Sequence, residues 1–262
     1  MRWLVNLMKS PIKSHNNLKF CLQELKQIIG SNQTINSFMF YDGYLELMLA
    51  RYNRFVTAHT NKFLIYEFWK CLCEDPNRIY ELVTSDPYKF QGERLFEILQ
   101  RTWSTYTTGY PRAALFFLLN RCSSTGAISG GRLDNKNFHP IALNYLKSFE
   151  RPDKFNLKLV EQKQVIPQIE MADDSDFIFL PIGKFSYNLF DHGKNKGIET
   201  THVNNQELRE LLDTSARKII LVYNFHSHLS SFFKKHNQKI IGPNGFVKAD
   251  GDLGDEVIVT NF

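Results

Sequence analysis

The stretch DSDFIFLPIGKF, residues 174–185, sets four consecutive apolar residues, Phe177 to Leu180, between Asp176 and the breaker Pro181-Ile182-Gly183-Lys184. A run with no polar face suits a strand buried on both sides, as in a parallel sheet covered by helices. The expectation is a short buried strand that runs into a tight turn at 181–184. In open α/β sheets that carboxyl end is where ligands bind. This turn carries almost nothing that could do chemistry.

Outward from this run, strands and helices alternate. FNLKLVEQ reads as a strand before it and VIPQIEMA as a helix. After it come the helix NNQELRELLDTSA, capped by Asn204 or Asn205, and the buried strand RKIILVYNF. HLSSFFKKHN has helical texture, and KIIGPNGFVKADGDLGDEVIVTNF reads as a terminal hairpin. Near the start, NNLKFCLQELKQIIG puts Leu18, Cys21, Leu22, Leu25, Ile28 and Ile29 on one helical stripe with Gly30 as a stop. SFMFYDGYLELML reads as a strand, a turn at Gly43 and a second apolar run. RFVTAHTN is another strand, and KFLIYEFWKCLCEDP a helix that ends before Pro76.

Between about Pro76 and Pro152 the pattern is helical throughout, with an apolar helix begun by Pro111 and a polar loop at STGAISGGRLDNKNFHP. The fold expected is therefore α/β: a Rossmann-like, doubly wound sheet with an inserted helical module. Residues 1–75 and 153–262 form the split sheet domain, and 76–152 the insertion.

Composition bounds the function classes. Of 262 residues, 43% are hydrophobic and 22 are Phe, which supports a sizeable core and argues against global disorder. The formal charge of +5 is compatible with nucleic acid without requiring it. Cys21, Cys71, Cys73 and Cys122 form no C-x-x-C pair and read as free thiols of a reducing compartment. The first apolar run is too short for a signal peptide, and no segment reaches the length of a membrane span. A soluble, intracellular protein without a metal centre is expected.

The segment RAALFFLLNRCSSTGAISGGRLDNKNFHP resembles the DNA-recognition segment of the Dam-type DNA adenine-N6 methyltransferases. That segment is an apolar helix ending in L-N-R, a glycine turn, and a basic loop closing in F-N-x-P. Leu119-Asn120-Arg121, Gly126, Asn137-Phe138 and Pro140 take those places. SPIKSHNNLKFCLQELKQII is similar to the family's opening K-W-x-G-G-K-x-x-L-L, RFVTAHTNKFLIYEFW to its second-strand segment, and DGDLGDEVIVTNF to its closing strand. The resemblance covers nearly the whole chain through the order and spacing of these pieces.

It implies S-adenosylmethionine bound at a glycine-rich turn after the first strand. Here that turn keeps Gly43 but has Tyr44 as its partner, Met39 where an acid is expected, and Asp42 nearby. The opening G-G pair is Asn16-Asn17. The acid that would hold the ribose is His59, which offers at most one acceptor. The catalytic D-P-P-Y falls on Pro181, Ile182, Gly183 and Lys184, so the carboxylate that would accept from the adenine amine and the stacking Tyr are both missing.

The basic group Arg112, Arg121, Arg132 and Lys136 is the nucleic-acid candidate. Ser129-Gly130-Gly131 stands where the family has an Arg, so contact with phosphate rather than base reading is expected. His226 and His228 read as a capping turn rather than a metal pair, and Phe68 and Trp69 as core.

The function implied is that of a catalytically inactive Dam-like homologue, binding double-stranded DNA, a protein partner, or both, without a cofactor. The alternative is an active S-adenosylmethionine-dependent enzyme using Asp42 for the cofactor and Asp176 for the amine.

Overall fold

A computed structural model describes residues 10–13, 18–85, 92–124, 126, 128, 131–185, 188–191, 201–248 and 253–262. The chain divides into two compact units. One comprises Asn16–Tyr66, Pro152–Lys194 and Ile198–Phe262, and the other Met1–His15, Glu67–Arg151 and Asn195–Gly197.

The first unit is a Rossmann-like α/β layer built on a seven-stranded sheet. Strands β1 (Thr34–Ser37), β2 (Phe55–Thr60), β3 (Phe155–Leu159), β4 (Phe177–Gly183) and β7 (Lys218–Asn224) pair in parallel, in the order β3-β2-β1-β4-β7. β8 (Asn237–Ile241) forms the far edge, and β9 (Glu256–Thr260) lies antiparallel between β7 and β8. Sequence pattern accounts for the central strands. Ile219 to Tyr223 and Phe177 to Leu180 are buried without a break, as strands covered on both faces must be. Ile178, Leu180, Ile219, Leu221, Val257 and Val259 belong to one core cluster with Leu208 and Leu212.

Helices α1 (Leu22–Ile28), α2 (Tyr44–Arg51), α8 (Val165–Glu170), α9 (Asn205–Thr214) and α10 (Leu229–Phe232) belong to this unit. Asn204 is the N-cap of α9 and accepts from Gln206 N and Glu207 N. Glu256, on β9 and buried, takes the backbone N–H groups of Lys19, Phe20 and Cys21 at 2.7–3.0 Å, so the last strand holds the entry to α1. Arg54, also buried, donates to the carbonyls of Lys26 and Ile29 at the other end of α1. A two-stranded hairpin, β5 (Asn188–Asp191) with β6 (Thr201–Asn204), follows β4 and has no counterpart in the sequence reading.

The second unit is helical: the greater part of α3 (Phe63–Glu74), then α4 (Pro76–Thr84), α5 (Glu93–Thr102), α6 (Gly109–Cys122) and α7 (Pro140–Lys147). The unit boundary falls inside α3, between Tyr66 and Glu67, rather than at Pro76. Asp75 and His139 cap α4 and α7, each followed by Pro at the first helical position. Ala113 to Asn120 of α6 are all buried, so this helix is the axis of the unit. Phe68 and Trp69, fully buried, pack with Phe116, Phe117 and Phe149 at 5.2–6.5 Å between ring centres.

Candidate functional site

At the carboxyl edge of the sheet the loop after β1 folds back on itself. Phe38 N bonds to Phe179 O and Phe40 N to His59 O, so the segment remains tied to β4 and β2. Met39 between them has φ 63°, a left-handed conformation costing an L residue about 1–2 kcal/mol. Phe38 and Phe40 are both buried. A Cβ placed on Gly43 (φ 69°) would lie 2.8 Å from the Phe40 ring. Gly43 is therefore needed here for the close approach of Phe40. It is this ring, and not that of the half-exposed Tyr44, that closes on the turn. Asp42 accepts from Tyr44 N at 3.0 Å, an Asx turn that starts α2.

His59 is turned into the core. It is buried, stacked on Phe38 at 4.7 Å, and its Nε2 meets Asn36 Oδ1 at 3.0 Å. Burial, aided by Lys158, pushes it down to about 4, so it is neutral at physiological pH. Two residues beyond β2, Lys62 is buried with its ammonium 5.4 Å from the Tyr41 ring, and burial lowers it to about 8. On the opposite face of β1, Glu46 of α2 accepts from Ser37 Oγ at 2.9 Å, and burial raises it to about 7. Sequence reading missed Glu46 because a Glu in an amphipathic helix ordinarily faces water.

The Pro181–Lys184 stretch departs from the expected tight turn. β4 continues to Gly183, with Pro181 opposite Val222, Gly183 opposite Tyr223, and a bulge between them. Pro lacks the ladder N–H, and a bulge is one of the few places a sheet tolerates it. Ile182 points into the core, and only Lys184 is exposed. Asp176 lies at the other, amino end of β4, where it accepts from Thr34 N and Oγ1 at 2.7 and 2.8 Å. Seven strand residues separate it from that carboxyl edge, roughly 20 Å. It cannot serve an amine there.

The basic candidates of the helical unit divide into two kinds. Arg112 pairs through two nitrogens with Glu67 and donates to Tyr106 O. Arg121 donates to Pro11 O and Ser10 O at 2.6 and 2.9 Å, and burial lowers it to about 10. Both are spent on internal structure, which corrects their expected place on a nucleic-acid surface. Arg132 and Lys136 are exposed.

A further cation, Lys13, joins Arg132 at Ser124. Lys13 Nζ donates to Ser124 O at 3.1 Å, and Arg132 N bonds to Ser124 Oγ while Arg132 O receives Ser124 N. Buried Asn120 builds this arrangement. Its Oδ1 accepts from Lys13 N at 2.6 Å, and its Nδ2 donates to Lys13 O and Gly126 O. The Lys13 stem packs against Gly126 at φ 73°. No local signal marks Lys13, because its position depends on a residue 107 places away.

Asn16, Asn17, Ser129 and Gly130 lie outside the described residues. Among the described residues there is no group of three or more His, Cys, Asp or Glu able to hold a metal, and no helix long and apolar enough to cross a membrane. No protein-family model matches the sequence, and no curated protein matches it significantly.

Proposed function

We propose that the chain is a nucleic-acid-binding protein resembling the Dam-type adenine methyltransferases that no longer transfers methyl groups. One observation carries the binding half. The helical unit holds 15 Lys and Arg against 9 Asp and Glu, while the sheet unit holds 17 against 18. The whole positive excess therefore belongs to the unit that presents Lys13, Arg132 and Lys136. Cations of this kind neutralise phosphates and release counterions.

The loss of catalysis rests on the sheet unit. Phe40 takes the approach to Gly43, His59 is turned into the core, and the end of β4 has Pro181 and Lys184 where a carboxylate and an aromatic ring are required. The parallel strands ending on an antiparallel strand slotted between β7 and β8 agree with the methyltransferase-type sheet that the resemblance implies.

Fluorescence anisotropy of labelled duplex DNA at low salt tests the binding half. Saturable binding that Arg132→Ala weakens to a similar degree on unrelated sequences is expected. Absence of binding by the wild type sinks it. Titration calorimetry with S-adenosylmethionine tests the other half: no heat is expected, and micromolar binding would restore the enzyme reading.

A further inference from the structure

The carboxyl ends of β4 and β7 carry a chain of rings that the reading above leaves unused. His228 and His226 stand 5.2 Å apart, His226 and Phe185 5.4 Å, and Phe185 and Phe232 5.4 Å. The Arg209 guanidinium closes the chain 4.7 Å over Phe232. Phe185 is buried and held edge-on against Tyr223, whereas both histidines are exposed.

The His226 ring is tied to the backbone of the turn. His226 Nδ1 accepts from His228 N at 3.3 Å, and His226 O receives Leu229 N at the start of α10. Because Nδ1 is an acceptor, neutral His226 carries its proton on Nε2. A ring already held in this way loses little entropy when a planar ligand stacks on it. Lys184, Lys234 and Lys235 are exposed in the segments next to Phe185 and α10, so cations flank the rings along the chain. Exposed rings flanked in the chain by cations, at the sheet edge where α/β folds bind ligands, form a surface that suits unpaired bases.

We propose that His226 and His228, backed by Phe185, are a stacking surface for an unpaired base of single-stranded nucleic acid. The choice of ligand rests on the nucleic-acid reading above, but the residues belong to the other unit. Stacking accepts any base, because each presents a π face.

The test uses a short single strand containing 2-aminopurine, at low salt, with the plain duplex alongside. The wild type should quench the 2-aminopurine emission on binding. The double change His226→Ala and His228→Ala should remove most of the quench and weaken single-strand affinity about tenfold, as expected for a lost stacked base. The double change to Phe should retain both, and neither should alter duplex affinity. Single-strand binding without quench, or equal quench by the Ala variant, overturns the stacking surface even where Arg132-dependent duplex binding stands. Histidine-dependent quench without duplex binding upholds it and removes the phosphate reading. Binding of neither strand form overturns both.

Discussion

Glu46 and Ser37 meet at 2.9 Å between α2 and β1, and His59 and Asn36 meet at 3.0 Å on the other face of the same strand. Their titrations act on stability in opposite directions. Glu46 is held near 7 by burial, against roughly 4.3 in an unfolded chain. Between those values the folded state keeps a proton that the unfolded state has released. Raising the pH through this window removes stability, on the order of 3 kcal/mol once it is crossed. His59, held near 4 against roughly 6.5 unfolded, does the reverse: its contribution is lost as pH falls from 6.5 towards 4. Glu46→Gln keeps an acceptor for Ser37 and abolishes the first effect. The stability difference between variant and wild type, from urea midpoints, should grow in the variant's favour from pH 4.5 to 7 and reach about 2–3 kcal/mol at pH 8. A difference that stays flat with pH would show that Glu46 is ionised in the folded state.

The loop between β1 and α2 owes its shape to the contact of Phe40 with Gly43, and this is testable as a coupling. Gly43→Ala should cost about 2–4 kcal/mol, from the left-handed backbone and the clash with the ring. With Phe40 already changed to Ala, only the backbone part, about 1 kcal/mol, should remain. Additive losses would mean that the ring and the glycine are independent. The turn after α6 can be tested through its buried amide. Asn120→Ala removes the partner of three backbone groups of Lys13 and Gly126 and should cost about 3 kcal/mol by thermal or urea unfolding. These elements also separate what is legible in sequence from what is not. The runs Phe177–Leu180 and Ala113–Leu119 identify a buried strand and a buried helix because continuous apolar sequence needs no partner to be interpreted. Pro181 and Gly183 signal a turn, yet pairing with β7 keeps them in the sheet through a bulge, a tertiary effect. Arg112 and Arg121 look like surface charges because their partners, Glu67 and the carbonyls of residues 10 and 11, are 45 to 111 positions away.

For the whole molecule, a net charge of +5 understates the asymmetry, because one unit carries an excess of six cations and the other an excess of one anion. A nucleic acid bound through that excess is held by counterion release, so the logarithm of affinity should fall linearly with the logarithm of salt. Each phosphate neutralised contributes roughly 0.9 to that slope on duplex DNA. Lys13, Arg132 and Lys136 together should therefore account for a slope of about 2.7, with any remainder due to other cations. Arg132→Ala and Lys136→Ala should each reduce the slope by about one and weaken binding at low salt, and their effects should add if the two groups touch different phosphates. Arg112→Lys provides the contrast. It breaks the two-pronged pairing with Glu67, and so should lower the unfolding midpoint while leaving the slope unchanged. Anisotropy titrations between 50 and 200 mM salt, a range over which several phosphate contacts lose orders of magnitude in affinity, measure these slopes directly. A slope that Arg132→Ala leaves untouched while Arg112→Lys reduces it would place the phosphate contact at the wrong end of α6.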